Sequence, residues 1–273
     1  MEAFAKHPNY EVASKAGDLL GFIDREVDAK DDLARLVQDM YGARYTANVG
    51  KNTVEGNLLV PTLAANLVTR GQDETLAKDY AQRGALYLGL NGKTSKTVVE
   101  SNLLRVALSE AMKAQGGKAF EPLMGMVKRG SPFEKGAALS ALASTTDTGL
   151  SSKLRDMAIA EDSPFTGRQS NTIIAGLMGS SIHGDETWEW LKTNFTTFVK
   201  RKVPDVRLGG MPGFARGFCS SERRDEVSAF FTSQADVIPG YERSLKQTQE
   251  RIELCSALKT EKGAELRAAL KAR

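Results

Sequence analysis

From Tyr10 to Val27 the apolar residues Val12, Ala16, Leu19, Leu20, Ile23 and Val27 recur at steps of mostly three and four. That spacing places them on one face of an α-helix. Leu33, Leu36, Val37 and Met40 repeat the pattern, as do Val98, Val99, Leu103, Val106 and Ala107, and again Trp188, Leu191, Phe195, Phe198 and Val199. No comparably long stretch alternates polar and apolar residues as a half-buried strand would. Between the helical stretches lie short polar joints: "TRGQDE" (69–74), "GLNGKTS" (89–95), "QGGK" (115–118), "KRGSP" (128–132) and "AEDSP" (160–164). Each fits a tight turn between two helices.

Ser131, Pro132 and Glu134 form a helix start. The serine hydroxyl can cap free N–H groups, proline is preset for the first turn, and the glutamate can answer reciprocally. Ser163-Pro164-Phe165 repeats Ser131-Pro132-Phe133 further along, with threonine at position 166 in place of the glutamate. The recurrence predicts two successive helix starts about one helix pair apart. Stacked helix pairs of drifting length are the mark of an α-solenoid. The expected fold is therefore all-α, an irregular HEAT/armadillo-like α-solenoid of about a dozen helices with a concave face; a non-repeating helical bundle is the alternative. Residues 1–273 read as a single helical-repeat domain. The weakest point is "KRKVPDVRLGGMPGF" (200–214), where prolines and glycines interrupt the periodicity and predict a long connection. Val227, Phe230 and Phe231, then Leu245, Ile252 and Cys255, restore helical spacing after it.

Composition adds limits rather than a function. With 273 residues, 41% hydrophobic and 26% charged, the chain can bury a continuous core. Lys and Arg total 37 against 34 Asp and Glu, a net charge of +3 that supplies no strong field for nucleic acid or an anionic membrane. No window approaches the roughly 18 apolar residues of a membrane span, and the first residues lack the order of a signal peptide. "EAFAKH" reads like the end of a helix that begins elsewhere, so Met1 need not be a native start. Composition does not choose between the cytoplasm and a compartment outside it.

Chemistry is sparse. The two histidines, His7 and His183, cannot form the HExxH helix that binds zinc in metallopeptidases. His183 sits just before an expected helix cap at Asp185, which predicts a surface or capping role. Gly92-Lys93-Thr94 ends like a phosphate-binding loop, but Tyr87 stands where its first glycine belongs and no strand precedes it. "GSSIHG" (179–184) approaches a nucleophile elbow, yet histidine occupies its second glycine position. Lys200-Arg201-Lys202 fits the cationic end of a helix. Trp188 lies on the apolar stripe of its helix and Trp190 off it, facing a neighbouring element or a partner. Cys219 and Cys255 are two free thiols in a reducing compartment, or one bridge outside it.

Five segments taken in order carry a resemblance: "LSALASTTDTGLSSKLRDMAIAED" (139–162), "SPFTGRQSNTIIAGLMG" (163–179), "DETWEWLKTNFTTFVKR" (185–201), "GFCSSERRDEVSAFFTSQAD" (217–236) and "GYERSLKQTQERIELCSAL" (240–258). Together they resemble the C-terminal helical domain of zinc aminopeptidases of the aminopeptidase N and puromycin-sensitive type, with "GFCSSE" and "IELCSAL" leaning to the bacterial branch. The first 130 residues resemble it more loosely, as in "LAKDYAQRGALYLGLNG" (76–92). The resemblance implies a helical lid that closes over a thermolysin-like catalytic domain, encloses a cavity and admits peptides whose N-terminal residues are then removed. It also implies that zinc and the catalytic and β-rich domains belong to the rest of a parent chain. The HExxH helix, the downstream glutamate ligand and the Gly-x-Met-Glu-Asn motif are absent here, so no catalytic or metal residue is carried over. Arg168, in the Gly-Arg-Gln segment, is the preferred peptide contact, with Arg129 and Arg105 behind it, because a guanidinium grips a carboxylate through paired hydrogen bonds. A structural ion pair is the plainer role for Arg168. The alternative is a free-standing solenoid that binds a partner on its concave face, and a self-contained enzyme of another type is the third reading.

Overall fold

In a computed structural model of the chain, which describes residue 7 and residues 10–202 and 208–272, every regular element is helical. Twelve α-helices follow one another among the described residues: α1 Tyr10–Glu26, α2 Lys30–Asn48, α3 Val54–Thr69, α4 Glu74–Leu88, α5 Leu104–Gln115, α6 Gly117–Arg129, α7 Pro132–Ala143, α8 Thr148–Ile159, α9 Gly167–Met178, α10 Gly184–Lys202, α11 Ser221–Ser233 and α12 Glu242–Lys271. Two 3-10 segments, Ser101–Leu103 and Leu208–Gly217, complete the set. The protein is all-α, with the helix-after-helix packing of an α-solenoid.

Side-chain caps explain where many helices begin. Thr53, Asp73, Asp147 and Ser220 each accept a backbone N–H three residues ahead. Ser131 and Glu134 close the predicted capping box reciprocally. Each satisfied cap is worth about 1 kcal/mol, because the first turn's N–H groups have no intrahelical partner.

Contacts divide the chain into two compact units, Met1–Ala114 with Lys259–Arg273, and Gln115–Leu258. In the first unit α2 packs along α3, and α3 also contacts α1 and α4. Its core is fully buried at Leu20, Ile23, Val37, Tyr41, Leu63 and Leu108. Gly84 lets α4 touch the backbone of α5, since a Cβ there would collide with the Ala107 carbonyl and the Ala111 methyl. In the second unit α6 pairs with α7, α9 rests on α7, α8 and α10, and α11 meets the 3-10 segment before it. Gly176 on α9 approaches α7 closely, and a Cβ there would lie 2.6 Å from that of Ala143.

The apolar stripes hold with local exceptions. Ala16, Leu20, Ile23 and Val27 are buried as expected, but Leu19 is 39% exposed. Two adjacent residues on a helix differ by 100°, and the seam is too narrow for both Leu19 and Leu20. Val98 and Val99 do not extend α5, which starts only after the Ser101–Leu103 turn. The second helix start also moves. Thr166, not Ser163, caps α9, and Gln169 completes a second capping box. Ser163 Oγ accepts the Phe165 N–H at 3.2 Å and so shapes the turn before the helix. Within the expected connection 200–214, α10 runs to Lys202, residues 203–207 lie outside the described residues, and a 3-10 segment begins at Leu208. Cys219 and Cys255 are joined as a disulfide with Cα atoms 5.1 Å apart across 36 residues of sequence. Closing a loop of that length restricts the unfolded chain by about 4 kcal/mol.

Candidate functional site

The first unit carries a cleft of about 410 Å³ where the end of α2, the loop after it, the first turn of α3 and the segment before α5 meet. Its polar lining is Asn48, Lys51, Asn52, Asn57, Glu100 and Asn102, over an apolar floor that includes Val60 and Leu103. Local chemistry builds it. α2 stops as the Val49 N–H closes on the Tyr45 carbonyl, Gly50 turns the chain at φ +76°, and Thr53 caps α3 by accepting from Gly56 at 3.0 Å. The amides then fasten the walls. Asn57 Nδ2 donates to Asn52 Oδ1 at 3.0 Å, Asn102 Nδ2 to the Asn57 carbonyl at 3.0 Å, and Asn48 Nδ2 to the Arg44 carbonyl at 2.8 Å.

Half of each amide is thereby spent on holding the loop. Oδ1 of Asn48, Asn57 and Asn102 and Nδ2 of Asn52 make no hydrogen bond among the described residues. The cleft therefore offers both acceptors and donors. Glu100 faces Arg83 at 3.9 Å, and the Lys51 side chain is exposed. Ser101 and the four asparagines supply the neutral hydrogen-bonding groups of the lining.

The second unit spends its polar groups on itself. Arg155, 3% exposed, donates to Ser151 Oγ at 3.1 Å and Thr187 Oγ1 at 3.3 Å, and its Nη2 meets Glu186 at 2.5 Å. Four residues before Thr187, fully buried His183 donates from Nε2 to the Thr145 carbonyl at 3.1 Å. Its own carbonyl accepts the Thr187 N–H and so opens α10. His183 immediately precedes the first residue of α10, and its ring is in the core rather than at the surface, because it ties α10 to the turn between α7 and α8. Asp185 lies inside the first turn of α10 rather than at its cap.

One further cluster joins α10 to α11. Trp188 Nε1 and Lys192 Nζ both donate to Glu226 Oε1, at 2.8 and 2.5 Å, and Arg223 donates to Oε2 at 2.8 Å. Burial pushes the Glu226 carboxyl upward, but Lys192, Arg223 and Trp188 overcome it and hold the group down at about 2. Around the Trp188 ring stand Phe218, Phe230 and Phe231, with centroids 5.3 to 5.9 Å away. Trp190 is half-buried and meets Phe198 edge-on, so an intrahelical contact occupies the face that had suggested a partner.

The predicted arginines lie on three different helices. Arg168 is exposed in the first turn of α9 and Arg129 exposed in the last turn of α6, both in the second unit; Arg105 is exposed near the start of α5 in the first. Of the cleft residues only the neighbourhood of Arg105 was approached from sequence. "NVGKN" (48–52) is a turn signal, but nothing in it announces that Asn102, 45 positions beyond Asn57, arrives beside it. Both cysteines are in the disulfide, and His183 Nε2 donates to a carbonyl in the core.

Residues 1–254 match the ERAP1-like C-terminal domain family. The chain belongs to this family. It is also similar to Aminopeptidase M1-C of Oryza sativa subsp. japonica, 22% identical over 267 residues. That alignment takes in 92% of the chain but 29% of the rice protein, so this ERAP1-like C-terminal domain spans less than a third of its relative's length. No helix among the described residues is long and apolar enough to cross a membrane.

Proposed function

We propose that this ERAP1-like C-terminal domain is the non-catalytic, substrate-gating part of a zinc aminopeptidase that removes N-terminal residues from peptides. The match over residues 1–254 carries the reading, together with a sequence that has no HExxH helix. Zinc and the bond-breaking residues are supplied by other domains of the same parent chain, and this domain forms a wall of the cavity that admits peptides and holds back folded proteins. Arg168 grips the carboxylate of the entering peptide, with Arg129 and Arg105 as secondary contacts.

The parent protein, expressed from its whole reading frame, is expected to hydrolyse aminoacyl amides in a zinc-dependent way, while the 273-residue chain does not. In that parent, Arg168→Ala is expected to raise the Michaelis constant for a hexapeptide about tenfold, the worth of one charge-assisted hydrogen bond. Turnover and the constant for a single aminoacyl amide should not change. A hexapeptide constant equal to wild type removes Arg168 from the site; a parent without zinc-dependent activity removes the reading.

A further inference from the structure

We propose that the asparagine-lined cleft of the first unit is a binding site for an extended polypeptide segment, recognised through its main chain. The proposal goes beyond the gating reading and does not need a catalytic domain.

The chemistry of the lining selects the ligand. A main chain in extended form presents N–H and C=O groups alternately, and it is matched by a wall that offers acceptors and donors side by side. Asn48, Asn52, Asn57 and Asn102 line the cleft, and Oδ1 of Asn48, Asn57 and Asn102 and Nδ2 of Asn52 are left uncommitted after the other half of each amide is fixed within the loop. Because those inner bonds hold the amides in place before a ligand arrives, little side-chain freedom is lost on binding. The volume of about 410 Å³ lies within the range of small ligand sites and suits a few residues.

Other ligands fit less well. A single-stranded nucleic acid needs aromatic platforms and several cations, whereas the cleft has no aromatic residue and one lysine. A phosphate or other small anion would meet Glu100 as well as Lys51. Sugars share the need for mixed donors and acceptors, and they are the competitor to be separated by experiment.

The experiment uses the isotope-labelled 273-residue chain and the blocked peptide acetyl-Ala-Val-Ala-Val-Ala-amide at millimolar concentration. The side-chain amide resonances of Asn48, Asn52, Asn57 and Asn102 are followed by NMR. They are expected to shift together and to saturate. The same peptide with alternate amides N-methylated should lose most of this binding, since it keeps the side chains and loses the donors. Asn52→Ala should weaken binding about threefold to tenfold, the worth of a neutral hydrogen bond, while leaving the remaining backbone spectrum in place. Maltotriose and a thymidine decanucleotide serve as controls. The proposal is overturned if the peptide moves none of these amides, if the N-methylated peptide binds equally well, or if maltotriose shifts them and the peptide does not.

Discussion

The two units use polar side chains in opposite ways. In the second unit buried Arg155 and His183 and half-buried Glu226 are bonded to their own framework, so they hold α8, α10 and α11 in place. In the first, the asparagines between α2 and α3 and before α5 are bonded by one half and open by the other. The carboxyl shifted strongly down, that of Glu226, belongs to a clamp between α10 and α11.

The sharpest way to break this contrast is Trp188→Ala. Trp188 is fully buried within the ring cluster and donates to Glu226, so its removal leaves a cavity and takes one of three donors from that carboxylate. The expected cost is about 4 kcal/mol, read as a lower urea midpoint. A midpoint shift equivalent to less than about 1 kcal/mol would mean that the cluster collapses freely and is no clamp.

Acid should produce a smaller effect of the same origin. A carboxyl whose native pKa lies below its unfolded value stabilises the fold fully above the unfolded pKa, and that contribution disappears as pH falls through the native one. For Glu226 the window runs from about 4.5 down to about 2, and the loss is expected to be about 2 kcal/mol after allowance for solvent screening. Glu226→Gln should flatten the stability profile across that window. A variant with the wild-type profile would assign the acid sensitivity elsewhere.

Asn52→Ala is expected to change least, within about 0.5 kcal/mol of wild-type stability. The residue is exposed and contributes one acceptor to an amide pair at the cleft edge. A loss above about 1 kcal/mol would make the asparagines structural and erase the distinction between the units.

Much of the architecture is legible in the chain because helical periodicity and capping are local. The stripe of Trp188, Leu191, Phe195, Phe198 and Val199 is buried throughout, and Ser131 with Glu134 forms the capping box that its spacing requires. The second helix start was displaced to Thr166 because Ser163 and Thr166 are both competent caps, and the seating of Phe165, 4% exposed, is settled by packing. The pairing of Asn102 with Asn57, the burial of His183 against Thr145 and the closure of Cys219 on Cys255 all join residues more than 30 positions apart. Such contacts leave no periodic trace in the sequence. Local patterns determined that this protein is a series of capped amphipathic helices; how those helices stack decided which polar groups became mortar and which remained available to a ligand, because burial and hydrogen-bond pairing are properties of neighbours in space.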